Sequence, residues 1–197
     1  MIGSDVSEQE LLLTGIGGQG VQLCAQVLAR GAVIEGKHVM LFGVYGGAMR
    51  GMNTDATLVV GDGPLLSPPL LSHTGSAIGM HDKFWRPLAP KLRDGALVLL
   101  NDDTFDTPVD PNRYRVLRVP ATERATALGH ALGGSMVMAG AYAAASGIVG
   151  VYALIAGMRE SVPSYRTQHI EANERALRDG FEWATSQVVP ASAAVST

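Results

Sequence analysis

Apolar positions along the chain fall into short runs that alternate with longer stretches of helical periodicity. Five such runs lie at residues 10–14, 38–42, 56–60, 96–100 and 114–119, and a weaker sixth lies at residues 76–80. The runs are rich in leucine and valine and are apolar at consecutive positions, which is typical of strands buried on both faces. They therefore predict a mostly parallel sheet between layers of helices.

Helical periodicity indicates five further stretches, at residues 21–36, 83–92, 122–146 with an interruption at Gly133–Gly134, 151–160 and 165–187. In the last stretch, Ile170, Leu177 and Phe181 form one apolar stripe that would dock on the sheet. Strands that alternate with helices predict an α/β fold. We expect one three-layer α/β/α domain with a Rossmann-like, mostly parallel sheet over residues 1–187, followed by a disordered tail at residues 188–197.

The amino-acid composition limits the kinds of partner that we expect this chain to bind. Charged residues make up 17% of the 197 residues, below the roughly 25% usual in soluble domains, which favours a surface partly covered by other subunits. The net charge is −3 without a run of Lys or Arg, so we expect neither nucleic acid nor a membrane as partner. The acidic, polar start MIGSDVSEQE is unlike a signal peptide and no apolar run is long enough to span a membrane, which predicts a cytoplasmic protein.

The single cysteine limits redox chemistry. Cys24 excludes an internal disulfide, and one thiol cannot by itself hold an iron–sulfur cluster, which takes about four thiolates. Cys24 falls within the apolar pattern of the first predicted helix, and so we expect it to be a core residue. Any redox metal would then belong to another chain.

The glycine-rich turn GIGGQGV, residues 15–21, follows the first strand and opens the first helix. Gly15, Gly17 and Gly20 satisfy G-x-G-x-x-G, where backbone N–H groups and the helix dipole favour a phosphate. A nicotinamide cofactor would also need an acidic residue about twenty positions on, but residues 39–51 contain none, although Arg50 suits the 2′-phosphate of NADP. Three interpretations stay open: a dinucleotide site, a tight turn packed by glycines, or a loop that meets a phosphate-bearing ligand or a neighbouring subunit.

A second glycine-rich segment, GVYGGAMRGM at residues 43–52, follows the second strand. Loops at the carboxyl ends of strands share one edge of an open sheet, so we expect the two segments to face one site or one interface. The Arg50 guanidinium could hold a phosphate or carboxylate through two parallel hydrogen bonds. A surface or inter-subunit salt bridge is the alternative role for Arg50.

With these residues the chain resembles the gamma subunit, or gamma domain, of the 2-oxoacid:ferredoxin (acceptor) oxidoreductases, which act on pyruvate, 2-oxoglutarate, branched 2-oxoacids or indolepyruvate. The matching segments are GIGGQGV, GKHV, YGGAMRG, ATLVVGD running into LLSPPL, VPATERA and GGSMVMAGAYAA. The family's second loop reads closer to YGAEMRGG, so Gly47, Ala48 and Met52 depart from it, and Ser135 stands where an asparagine is common. These departures leave the 2-oxoacid open.

The resemblance implies a multisubunit enzyme in which alpha and beta subunits hold thiamine diphosphate and Mg²⁺, iron–sulfur clusters pass electrons to ferredoxin or another acceptor, and coenzyme A takes the acyl group. This chain would be an accessory subunit without catalytic residues or metal ligands, inactive in isolation, that contacts coenzyme A. The implied cofactor-binding residues are Gly15, Gly17, Gly18, Gln19, Gly20, Tyr45 and Arg50. The alternatives are a self-contained NADP-binding oxidoreductase and a purely structural interface subunit.

Overall fold

Six strands pair into one mixed sheet in the computed structural model, which describes residues 8–45, 51–66 and 70–188, with the backbone alone at Tyr45 and Val188. The strands are β1 (Gln9–Ile16), β2 (His38–Tyr45), β3 (Asn53–Gly61), β4 (Thr74–Gly79), β5 (Leu92–Asn101) and β6 (Arg115–Val119). The α-helices of the described residues are α1 (Val21–Ile34), α2 (Trp85–Leu88), α3 (Ala121–Ala127), α4 (Gly134–Ser146), α5 (Val151–Ser161) and α6 (Ile170–Val188).

The strand order is β2-β3-β1-β4-β5-β6. β1, β4, β5 and β6 are parallel to one another, and β3 alone runs antiparallel to its neighbours β1 and β2. All six predicted strands and the mostly parallel α/β sheet are thus confirmed. β3 pairs antiparallel with β2, the strand that precedes it along the chain, and lies between β2 and β1. The carboxyl end of β2 therefore lies two strand spacings, roughly 10 Å, from that of β1, whereas a Rossmann sheet pairs its first two strands directly.

The two faces of the sheet carry separate cores because side chains alternate along each strand. Leu11 and Leu13 of β1 belong to the larger core, which α1, α3, α4, α5 and α6 cover. Leu12 belongs to the smaller core on the opposite face, where Trp85 of α2 packs edge-on against Phe105 with 5.2 Å between the ring centroids. The three-layer α/β/α arrangement is confirmed, with short helical segments forming the thinner layer.

Two of the covering helices pack by direct backbone contact. A Cβ atom on Gly140 of α4 would lie 2.0 Å from the Leu177 carbonyl oxygen of α6, and one on Gly180 would lie 2.0 Å from the Val137 carbonyl oxygen. No side chain fits in so narrow a gap, so glycine at both positions sets the distance between these helices. The contact fixes α4, which is buried along most of its length, over the centre of the sheet.

Several predicted elements differ in detail from the structure. Residues 83–92 form only the four-residue α2 between two 3₁₀ turns, because Pro87 and Pro90 lack the backbone donors that a longer helix needs. The predicted helix 122–146 breaks over residues 128–133, and a 3₁₀ segment, Ser164–His169, precedes α6. Burial on both faces is wrong for the two edge strands, β2 and β6. The predicted tail lies outside the described residues from residue 189 onward, and no described helix is long and apolar enough to cross a bilayer.

Candidate functional site

The glycine-rich turn lies between the carboxyl end of β1 and the start of α1. Gly18 (φ 106°) and Gly20 (φ 78°) both adopt the positive φ that side chains disfavour. Gly20 is the N-cap of α1 and supplies no side-chain cap. The conformation of the turn therefore depends on glycine at these two positions.

Close packing explains two of the glycines. A Cβ atom on Gly15 would lie 2.8 Å from both Met80 Cβ and Val21 Cγ2, and one on Gly20 would lie 2.5 Å from Ser135 Oγ. By contrast, a Cβ atom on Gly18 would meet nothing within 4 Å. Gly15 and Gly20 thus join the loop to β4 and α4, in agreement with the tight-turn interpretation, while Gly18 faces open space.

The side chain of Gln19 is used within the chain. Its Oε1 accepts a hydrogen bond from Ile16 N at 3.0 Å, and its Nε2 donates to the Met80 carbonyl at 3.0 Å. The same carbonyl accepts from Thr104 Oγ1 at 2.6 Å, and Thr104 in turn accepts from Asn101 Nδ2 at 2.9 Å. Gln19 therefore ties the turn to the ends of β4 and β5, a bracing role that the glycine motif did not predict.

The second glycine-rich segment lies beside the first. Gly17 N donates to the Met52 carbonyl at 2.8 Å, and Gly51 N donates to the Gly17 carbonyl at 3.2 Å. The predicted adjacency of the two segments is confirmed at these residues. Tyr45 pairs with Thr54, which lies opposite Gly15, so its backbone reaches the same edge of the sheet. Residues 46–50, with Arg50 among them, lie outside the described residues.

Polar side chains reinforce this edge. Asp55 of β3 accepts hydrogen bonds from Thr14 Oγ1 at 2.7 Å and from Asn53 Nδ2 at 2.8 Å, one on each carboxylate oxygen. Gln22 of α1 donates through Nε2 to the Asp55 carbonyl at 2.6 Å. Asp55 therefore links β1, β3 and α1, and its carboxylate is satisfied by described neighbours.

The turn offers backbone donors for an anion. No described residue accepts a hydrogen bond from the N–H groups of Gly18, Gly20 or the first helical turn, Val21 to Leu23. Such groups at a helix N-terminus, with the positive end of the helix dipole, suit a phosphate or carboxylate oxygen. The chemistry that these residues can perform is binding by charge and hydrogen bonds.

The cysteine of α1 is inaccessible in the folded chain. Cys24 is fully buried, as predicted for a core residue, and burial raises the pKa of its thiol to about 12. The thiolate that acts as nucleophile or metal ligand is therefore scarce at neutral pH. Within the described ranges, His, Cys, Asp and Glu form no group of three or more that could hold a metal ion.

Sequence reasoning missed the residues that connect the loop to the rest of the sheet edge. Asn101 is almost fully buried and donates to both Thr104 and Thr122, at 2.9 and 3.2 Å. Met80 contributes only its carbonyl oxygen, which no side-chain pattern reveals. An asparagine directly after the predicted strand at residues 96–100 was the available signal, but it is equally typical of an ordinary turn.

The sequence of this chain is similar to those of known oxidoreductase subunits. The family model described as pyruvate ferredoxin/flavodoxin oxidoreductase matches residues 10–183. The 2-oxoglutarate synthase subunit KorC of Archaeoglobus fulgidus is 31% identical over 176 residues, which cover 89% of this chain and 87% of that protein.

Solved structures share the fold. The keto/oxoacid ferredoxin oxidoreductase gamma subunit of Geobacter sulfurreducens superposes with a TM-score of 0.77 at 24% identity, covering 91% of this chain and 98% of that one. A chain of the 2-oxoglutarate:ferredoxin oxidoreductase of Magnetococcus marinus gives a TM-score of 0.79 at 14% identity, covering 91% of this chain but only 31% of that longer chain. The same architecture thus occurs both as a separate chain and as part of a larger polypeptide.

Proposed function

The chain belongs to the pyruvate ferredoxin/flavodoxin oxidoreductase family, and from this premise we propose that it is the gamma subunit of a multisubunit 2-oxoacid:ferredoxin or acceptor oxidoreductase. The assembled enzyme would decarboxylate a 2-oxoacid oxidatively to an acyl-coenzyme A. Thiamine diphosphate with Mg²⁺, which supplies the electron sink, and the iron–sulfur clusters would be held by the alpha and beta subunits. The single cysteine of this chain is too few for an iron–sulfur cluster, which takes about four thiolates.

One observation carries the proposed role of this chain: the two glycine-rich segments are hydrogen-bonded to each other at Gly17. Together they present the donors of Gly18, Gly20 and the first turn of α1 at one edge of the sheet, and the sequence of the second segment contains Arg50. This combination suits the phosphates of coenzyme A. Gln19 would act indirectly, by holding the turn in place through Ile16 and Met80.

The edge strand β2 supports the expectation of partner subunits. Leu41, Phe42 and Val44 are 37%, 40% and 45% exposed. Met52 is exposed nearby in sequence, and the exposed Leu70 lines one cavity with Phe42 and Val44. β2 contains no charged Lys, Arg, Asp or Glu that would discourage pairing with another chain. An apolar strand edge of this kind is stable in water when another subunit covers it. We therefore assign this edge to an interface within the complex.

Purification of the tagged full chain from its native host tests the assignment to a complex. We expect companion chains that include one with bound thiamine diphosphate and one with several cysteine quartets. The purified complex should reduce an acceptor when given a 2-oxoacid and coenzyme A, and the chain alone should not. Oxidation of a 2-oxoacid by the chain alone, or NADP binding to it in calorimetry, would favour a self-contained enzyme and contradict the proposal.

Two arginine variants, measured in the purified complex, test whether Arg50 contacts coenzyme A or has a structural role. Arg50→Ala should raise the KM for coenzyme A at least tenfold, the loss expected for a charge-assisted hydrogen bond of about 1.5–3 kcal/mol, with kcat unchanged at saturating coenzyme. Arg86→Ala is the matched control, since Arg86 is exposed on the opposite layer and forms no ion pair with a described residue. If Arg50→Ala dissociates the complex instead, the arginine belongs to the interface; if it changes neither quantity, the proposed contact is wrong.

A further inference from the structure

A cavity of about 500 Å³ opens on the helical side of the sheet, and of the residues assigned above only Leu23 lines it. Its walls come from α1, from the loop before α4, and from the 3₁₀ segment Ser164–His169 that leads into α6. The volume falls within the range of small-molecule pockets, roughly 300–1,000 Å³. No element of the glycine-rich turn lines it.

The cavity lining contains one cation, Arg166, and no carboxylate. Arg166 and two histidines, His130 and His169, line it, and no Asp or Glu does. Arg166 forms no ion pair with a described residue and lies beside the ring of Tyr165, with 5.5 Å between its guanidinium carbon and the ring centroid. This lining contrasts with a chain that carries 18 acidic and 15 basic residues. An unpaired guanidinium in a carboxylate-free cavity is suited to an anion.

The histidine side of the cavity is held in place. The imidazole of His130 hydrogen-bonds through Nε2 to Asn173 Oδ1 at 2.8 Å, and Asn173 is only 7% exposed. The backbone of His130 is fixed as well, since its N–H donates to the Ala125 carbonyl at 2.9 Å. The ring of His169 stacks on that of His130 with 5.8 Å between centroids. The cavity therefore has a preformed aromatic wall.

Apolar side chains complete the lining. Leu23 of α1 is partly buried, whereas Leu132 and Tyr165 are 81% and 72% exposed although both line the cavity. Large apolar side chains left in water beside a preformed cavity gain hydrophobic contact when a ligand covers them. The lining thus pairs an apolar surface with a single cation, the exposed Arg166.

We propose that this cavity binds a small organic anion, a carboxylate or a phosphate ester, with an apolar or aromatic body. The anionic group pairs with the Arg166 guanidinium, and the body packs between Leu132 and the Tyr165 ring. The proposal does not depend on the function assigned above, because it uses none of the residues of the glycine-rich segments.

Calorimetric titration of the full chain with three probes of similar shape tests the proposal. 3-Phenylpropionate and phenyl phosphate carry the two anionic groups, and 3-phenylpropanamide is the neutral counterpart. We expect at least one anion to bind at least tenfold more tightly than the amide. Tighter binding of the carboxylate or of the phosphate then identifies the ligand class. ¹⁵N-labelled protein should show the largest amide shift changes at residues lining the cavity.

Variants locate the anionic contact. Arg166→Gln should weaken binding of the preferred anion about tenfold and leave the affinity for the amide unchanged. Arg86→Gln, an exposed arginine on the opposite face of the sheet, should change neither affinity. The proposal is overturned if both anions bind no more tightly than the amide, if Arg166→Gln binds the anion as the unaltered chain does, or if the shift changes map outside the cavity.

Discussion

Substitution of Gly20 by alanine perturbs the joint between the glycine-rich turn and α4. Two effects reduce the free energy of unfolding at this position. The left-handed backbone, φ 78°, costs a residue with a Cβ atom about 1–2 kcal/mol. The new methyl group would also lie 2.5 Å from Ser135 Oγ and 2.9 Å from Ser135 Cβ, an overlap of the kind that costs about 1–3 kcal/mol. We expect Gly20→Ala to lower the free energy of unfolding by about 2–5 kcal/mol in total.

Gly18→Ala is the matched control. Gly18 also has positive φ, but a Cβ atom there meets nothing within 4 Å. This variant should therefore lose only the backbone cost of about 1–2 kcal/mol. The difference between the two variants isolates the overlap with Ser135. Ser135→Gly removes both overlapping atoms, so it should rescue Gly20→Ala but not Gly18→Ala.

Urea unfolding followed by circular dichroism measures these differences. With a slope of about 1–3 kcal/mol per molar urea, a loss of about 3 kcal/mol moves the unfolding midpoint by roughly 1–3 M. The double-mutant cycle of Gly20→Ala with Ser135→Gly should give a coupling energy of about 1–3 kcal/mol. A Gly20→Ala variant no less stable than Gly18→Ala, or a coupling energy near zero, would refute the close contact between the turn and α4.

Three further substitutions test other parts of the structure. Gln19→Ala removes the two hydrogen bonds that brace the turn and should cost about 2 kcal/mol in urea unfolding; an unchanged midpoint would contradict the bracing role. Gly140→Ala places a methyl group 2.0 Å from a carbonyl oxygen of α6 and should lower the melting temperature by about 4 °C or more, although alanine favours a helix. Burial raises the pKa of Cys24 from 9.0 to about 12, so only the unfolded chain ionises this thiol between these values. Folding stability should fall as pH rises through 9, and at pH 10 this group should have removed about 1.4 kcal/mol relative to neutral pH. Cys24→Ala should show a correspondingly shallower decline, and equal slopes would disprove the assignment.

The sequence by itself determined the order of strands and helices along the chain. The strands could be predicted from apolar runs and the helices from the spacing of apolar residues. The glycines between β1 and α1 likewise predicted a turn there. Pro87 and Pro90 are also local indications, because proline disfavours a long helix. The apolar pattern of residues 83–92 nevertheless led to the prediction of a longer helix there. The segments that resemble the oxidoreductase family extend over most of the chain, as the match to residues 10–183 confirms.

Only the tertiary structure decided how these elements meet. Hydrophobic periodicity does not encode strand direction, so the antiparallel insertion of β3 between β1 and β2 could not be read from the pattern. The bonds from Gln19 to Met80 and from Thr104 to the same carbonyl join residues more than twenty positions apart. Arg166 and His130 likewise belong to no motif, and only the packing of α1, α4 and α6 brings them to one cavity. Local sequence determines whether a segment forms a helix or a strand. Which elements lie next to each other depends on which surfaces and backbone groups fit together in the folded chain.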